Sequence, residues 1–181
     1  MSRLPAIQTE TAVGKAKGLL EAVQAKMKIT PNMTRVMANS PAVLEGYLAF
    51  NGALAGGSLP VKLREEIALV VGELNACQYC LAAHSALGKL AGLTEAEIEE
   101  ARDARSNPPK HTAALVFAQQ VVVKKGQITD EDFKAVQQAG FSAGEIAEIV
   151  AHVALNVFTN YFNTATQVEV DFPKVALRRA A

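Results

Sequence analysis

Apolar positions along this chain recur at helical spacing in one block after another, with short breaks between them. Leu19, Leu20 and Val23 oppose Lys15, Lys17, Glu21 and Lys26, which predicts a first helix over 9–28. Pro31 ends it, because a proline pushes the preceding residue out of the helical region. A short segment, 33–38, follows. Ser40-Pro41 then supplies a cap and a proline at the first helical position, opening a helix to about Leu54. After the break at 55–60, Leu63, Ile67, Val70, Val71 and Leu74 continue the helical pattern.

A second helix is expected from Cys77 to about Leu90, stopping at Gly92. Three capping signatures come next: Thr94 with Glu97, Thr129 with Asp132 in the place of Glu, and Ser142 with Glu145. Asn107-Pro108-Pro109 introduces a helix over 110–125, ended at Gly126, and the last helix runs from Ala143 to about Thr166. Only 168–173 alternates like a strand, and it is too short to found a sheet. There is no repeat, low-complexity tract or linker. The expectation is one all-α domain over 1–181, with roughly seven or eight helices.

Composition agrees with that. Half of the 181 residues are hydrophobic, there is no Trp, and Ala, Val and Leu dominate, which favours helices. Acids and bases balance at 18 each, and no basic run stands out, so nucleic acid is not an expected partner. No apolar run reaches the length of a membrane span, and the first ten residues lack the layout of a signal peptide. A cytoplasmic protein is expected. Two cysteines do not make a secreted disulfide framework; in a reducing compartment such a pair points to catalysis or metal binding.

Both cysteines and one histidine fall in Cys77-Gln78-Tyr79-Cys80-Leu81-Ala82-Ala83-His84. At about 100° per residue, Cys77, Cys80 and His84 share an arc of about 60° on a helix. Two effects favour a reactive thiolate there. The helix N-terminus favours negative charge on Cys77, whereas His84 can take the proton of Cys80. The residues alone therefore leave the nucleophile open. An i, i+3 pair in a first turn also brings the sulfurs within bonding range, which suits a dithiol–disulfide cycle. A thioredoxin reading fails because no buried strand precedes the motif. Zinc held by Cys77, Cys80, His84 and Glu65 is disfavoured, since positions on one helix encircle a metal poorly. No metal and no cofactor are expected.

Glu65, twelve positions before Cys77, could serve His84 only if the chain reverses near Asn75-Ala76. One straight helix would hold the two about 28 Å apart. With that acid, the pattern Glu65, Leu74-Asn75-Ala76-Cys77-Gln78-Tyr79-Cys80 and His84 resembles the AhpD-like alkylhydroperoxidases of the carboxymuconolactone decarboxylase superfamily. The likeness is densest over 59–92, and about 40–125 fits that superfamily's helical core. The resemblance implies that Cys80 attacks peroxide, Cys77 resolves, and His84 with Glu65 relays the proton. It further implies an organic hydroperoxide substrate, a dithiol, thioredoxin-like or lipoyl reductant, and a homo-oligomer of three or six chains. Tyr79 stands where the best-known relatives carry a second relay histidine. A phenol with a pKa of about 10 can donate a hydrogen bond but is a poor base at pH 7. A redox sensor or disulfide exchanger, and a decarboxylase-like or binding member, are the alternatives.

The remaining polar residues divide by pattern. Glu66 lies nearer the apolar stripe than Glu65, so periodicity alone chooses Glu66 as the buried acid, whereas the spacing of the resembled family chooses Glu65. Glu66 and Glu73 otherwise read as solvated charges, because acids are seldom buried. His111, at a helix start, reads as exposed. His152, Asn156, Asn160 and Asn163 line one edge of the last helix, and hydrogen bonding between helices or subunits is favoured over a pocket wall. Tyr47, Phe50, Phe158, Tyr161 and Phe162 read as core or interface.

Overall fold

The computed structural model describes residues 2–178. Among them are nine helices and no strand: α1 (Gly14–Met27), α2 (Asn32–Met37), α3 (Pro41–Ala55), α4 (Val61–Leu74), α5 (Gln78–Leu90), α6 (Glu95–Arg102), α7 (Pro109–Val123), α8 (Asp130–Gln138) and α9 (Ala143–Thr166). That is one more than the upper expectation. The extra element is α2, six residues that bury Met33, Thr34, Val36 and Met37.

The ends of the helices follow local chemistry. Thr94, Thr129 and Ser142 each form a full capping box with Glu97, Asp132 and Glu145 respectively, so α6, α8 and α9 begin where the side chains dictate. The first helix starts later than its pattern suggests. Gly14 has a φ of +58°, and the N–H of Ala12 closes a separate turn onto the carbonyl of Gln8 at 2.9 Å. Residues 168–173 make no strand. Beyond the left-handed cap at Gln167, the chain runs as an irregular strap whose Val168, Val170 and Phe172 pack on the interior.

Helix α4 is the centre of the molecule, packed against α5, α6, α7 and α9. Leu63, Ile67, Leu69, Val70 and Val71 are all fully buried, so apolar residues on several faces of this helix have something to cover. They head a large cluster with Leu81, Leu115 and Ile149. A second cluster gathers Leu20, Met37 and Leu44 around Cys77, Tyr79 and Cys80. The cysteines thus sit inside apolar packing and not on a surface loop.

The reversal after α4 is what brings its acids toward α5. Asn75 caps the helix, Ala76 adopts a left-handed φ of +51°, and the N–H groups of Ala76 and Cys77 donate to the carbonyls of Glu73 and Gly72 at 3.1 and 3.0 Å. This is a Schellman closure. It has Ala where glycine is the usual occupant, since a Cβ is strained at that φ.

Candidate active site

The chain leaves the reversal directly into Cys77, which is the N-cap of α5 and not a residue of its first turn. With φ −86° and ψ 94° it is extended, and its sulfur accepts the N–H of Cys80 at 3.2 Å. The Cys77 sulfur occupies the place that a Ser or Thr hydroxyl takes in an ordinary cap. Cys77 and Cys80 are joined as a disulfide, with Cα atoms 5.3 Å apart. Both are buried, at 1% and 3% exposure.

Glu65 and His84 meet across the same reversal. Oε2 of Glu65 lies 2.8 Å from Nδ1 of His84. A carboxylate only accepts, so Nδ1 carries the proton, and in the neutral ring Nε2 keeps the lone pair. The acid expected from spacing is therefore the one beside the histidine.

The neighbouring acids follow another logic, and their expected exposure is corrected. Glu66 is buried, and its oxygens accept from Ser106 Oγ at 2.6 Å and pair with Nδ1 of His111 at 2.7 Å. His111 is held there, largely shielded, and is not an exposed helix-start residue. Glu73 is also buried, paired with Arg102 Nε at 2.7 Å and receiving the N–H of Arg178 at 3.2 Å. Helix α4 is covered on most sides, so Glu66 and Glu73 are buried while Glu65, at the cavity, is only part-buried. Each survives there because a donor meets it.

Cys80, Glu65 and His84 open on one cavity of about 480 Å³; Cys77 is not in its lining. Helices α1, α2, α3, α4, α5 and α9 contribute walls, with Phe172 of the strap. The lining is largely apolar, through residues such as Val23, Leu48 and Leu155, with most of its polar groups on α4, α5 and α9. Tyr47 is part of it, and so is not core alone. Burial, with the charge of Glu65 adding, pushes the Tyr47 phenol up to about 12. Phe158 and Tyr161 are exposed, and Phe50 is 40% exposed.

Tyr79 also borders the cavity, but its hydroxyl is engaged elsewhere, accepting the N–H of Met33 at 3.2 Å. Burial pushes this phenol far above its usual range; the Met33 N–H opposes and the carboxylate of Asp171 adds. Its ring stands edge-on to Phe172, with centroids 5.8 Å apart. Tyr79 therefore stays neutral and fixes α2 and the strap against α5.

The polar edge of α9 does two jobs. Asn160 bonds Asn75 at 2.9 Å, as expected of a helix–helix contact. His152, Asn156 and Asn163 line the cavity, where a wall was the less favoured reading. His152 is buried and its Nε2 has no hydrogen-bond partner among the described residues. Burial and the charge of Arg64 lower its pKa to about 4, against the opposing pull of Glu148 and Glu65. Asn163 donates from Nδ2 to Cys80 Sγ at 3.3 Å and to Met33 Sδ at 3.2 Å. Periodicity could place Asn163 on a polar edge, but no local signal says that a sulfur 83 positions away lies opposite it. Among the described residues, no group of three His, Cys, Asp or Glu side chains is arranged to hold a metal ion. No single helix there is long and apolar enough to cross a membrane.

The site is thus a two-cysteine helix start beside a part-buried Glu–His pair in an all-α bundle. Residues 41–120 match the profile of the Carboxymuconolactone decarboxylase family. The fold aligns with a peroxidase-related protein with an alkylhydroperoxidase AhpD core from Ralstonia eutropha JMP134. The TM-score is 0.85 and the identity 23%, over 94% of this chain and 92% of that one. A peroxidase-related protein from Silicibacter sp. TM1040 aligns at TM-score 0.79 and 23% identity, over 96% and 90% of the two chains. The debrominase Bmp8, bound to 2,3,4-tribromopyrrole, aligns at 0.79 and 17%, over 93% and 91%. No curated protein matches the chain by sequence.

Proposed function

We propose that the protein is a thiol-dependent peroxidase that reduces organic hydroperoxides. The observation that carries this reading is that Cys80, His84 and Glu65 line one largely apolar cavity that Cys77 does not reach. A substrate in that cavity meets Cys80 first, with the disulfide partner behind it. His84, its Nδ1–H held by Glu65, takes the Cys80 proton at Nε2. The thiolate attacks the outer oxygen of the hydroperoxide and the O–O bond breaks. Cys80 becomes a sulfenic acid, and the alkoxide leaves as an alcohol by recovering the proton. The Cys77 thiol then attacks the Cys80 sulfur and expels water, giving the disulfide. An external dithiol returns the pair to thiols and is itself oxidised.

The test is steady-state consumption of cumene hydroperoxide with dithiothreitol. Turnover is expected from the intact chain and none from Cys80→Ser; with the dithiol left out, Cys77→Ser should consume about one equivalent and stop. Alkylation of peroxide-treated protein should find no free thiol. Unchanged turnover in Cys80→Ser would end the reading. A second substrate class fits the same electron balance. An aryl bromide plus two thiols gives the arene, bromide, a proton and a disulfide. The apolar cavity and the likeness to a tribromopyrrole-bound debrominase favour including a bromopyrrole in the assay.

A further inference from the structure

We propose that Asn163 is the hydrogen-bond donor that holds Cys80 as a thiolate in the reduced protein. This assignment rests on the thiol chemistry proposed above and adds a residue to it. Nδ2 of Asn163 reaches two acceptors, Cys80 Sγ at 3.3 Å and Met33 Sδ at 3.2 Å, and both are sulfur. Its Oδ1 is buried with no partner among the described residues, and the residue is 3% exposed. A buried amide that leaves its oxygen unmet is costly, and neutral sulfur is a weak acceptor in return. The arrangement makes sense if one of the two sulfurs becomes charged. A thiolate accepts far better than a disulfide sulfur or a thioether, because a hydrogen bond to an ion is stronger.

The orientation of the amide follows from the same chemistry. Neither a disulfide sulfur nor a thioether has a hydrogen to give, so the NH₂ side of Asn163, not its oxygen, must face them. The two cysteine sulfurs are thereby served by different donors. Cys77 takes the backbone N–H of Cys80 at the helix start, and Cys80 takes Asn163 from α9. The helix start favours an anion on Cys77. Asn163 gives Cys80 a donor of its own, on the sulfur that faces the cavity. Other titratable or charged groups around that cavity are Glu65 and Arg64 of α4, His84 and Tyr79 of α5, Tyr47 of α3, His152 of α9 and Lys26 of α1. None of them donates a hydrogen bond to Cys80 Sγ; Asn163 does.

The experiment follows alkylation of each cysteine in fully reduced protein across pH, resolved by peptide mass. In Asn163→Ala and in the similarly sized, uncharged Asn163→Leu, the Cys80 profile should move up by about one pH unit. That is about tenfold slower modification at neutral pH, and Cys77 should move less. Should either variant fail to fold, the intact protein still decides. The side-chain amide resonance of Asn163 is expected to titrate with the same midpoint as Cys80. An unmoved Cys80 profile, or an Asn163 amide that does not titrate, overturns the assignment. The shift without any peroxide or bromopyrrole turnover would leave Asn163 in its role and remove the enzymatic reading. Turnover with an unmoved profile would do the reverse.

Discussion

Glu65 and His84 lie 19 positions apart, on two different helices, and meet at 2.8 Å because the chain reverses at Ala76. The pair depends on that reversal. Straightening α4 into α5 would separate the two by about 28 Å. Glu66, one position on, points to Ser106 and His111 instead. Adjacent acids on one helix therefore hold different jobs, and substitution should separate them.

Glu65→Gln should slow the first oxidation by roughly 100- to 10,000-fold, the range for loss of general acid–base help. An amide can hold His84 in place but cannot stabilise its charged form. Glu66→Gln should leave that rate nearly untouched. It should instead lower stability by about 1.5–3 kcal/mol, the scale for hydrogen bonds to a charged group. Stopped-flow oxidation and urea unfolding of both variants check the division. A slow Glu66→Gln with normal stability would contradict it.

The Glu73–Arg102 pair is buried on both sides, with Arg102 also held by Glu99 and by the carbonyl of Ala176. Removing only the cation, as in Arg102→Met, strands a carboxylate in the interior. That should cost about 3–5 kcal/mol. Replacing both, as in Glu73→Leu with Arg102→Met, should cost much less, because no charge is left alone. Chemical unfolding of the single and double variants gives the comparison. Equal losses in both would mean that the pair matters only as packing.

The strained turn gives a test in the other direction. Ala76 at φ +51° carries a Cβ where glycine is at ease. Ala76→Gly should therefore stabilise by about 0.5–1 kcal/mol, less any entropy that the freer unfolded chain gains. For a chain of this size that is roughly 1–4 °C in Tm. Calorimetry decides, and a fall in Tm would show that the unfolded-state effect wins.

What was legible in the sequence is what is local. Three capping boxes were readable because donor and acceptor lie three residues apart. The Asn75-Ala76 break was required by the chemistry of Glu65 and His84, and it is there. Periodicity alone pointed to a buried Glu66, but what meets Glu66, Glu73 and His111 was not readable. Their partners lie 40, 29 and 45 positions away, and nothing near an acid says that a distant donor will meet it. The same holds for Asn163, whose target is a sulfur on another helix. Cys77 shifted by one position, from first turn to cap, because periodicity locates a helix better than it locates its first residue. The strap over 168–173 showed alternation without a strand, since no second strand exists among the described residues to pair with it.

His152 ties the cavity wall to acid stability. It is buried on α9, and its pKa falls to about 4 because burial and Arg64 both disfavour the charged imidazole. In the unfolded chain the same group titrates at about 6.5. Above about pH 6.5 it is neutral in both states and has no effect. Between about 6.5 and 4 the unfolded state binds the proton and the folded state does not, so stability falls as pH falls. From pH 7 to pH 5 this one group should remove about 2 kcal/mol. In His152→Gln, which cannot take up a proton, that part of the pH dependence should vanish, while stability at pH 7 changes by a separate packing term. Urea unfolding at pH 7 and pH 5 on both proteins isolates it, since only the difference of differences counts. A variant as acid-sensitive as the parent would mean that His152 takes up its proton in the folded state, its Nε2 then donating to Glu65 across the cavity or to Glu148 one turn earlier on α9.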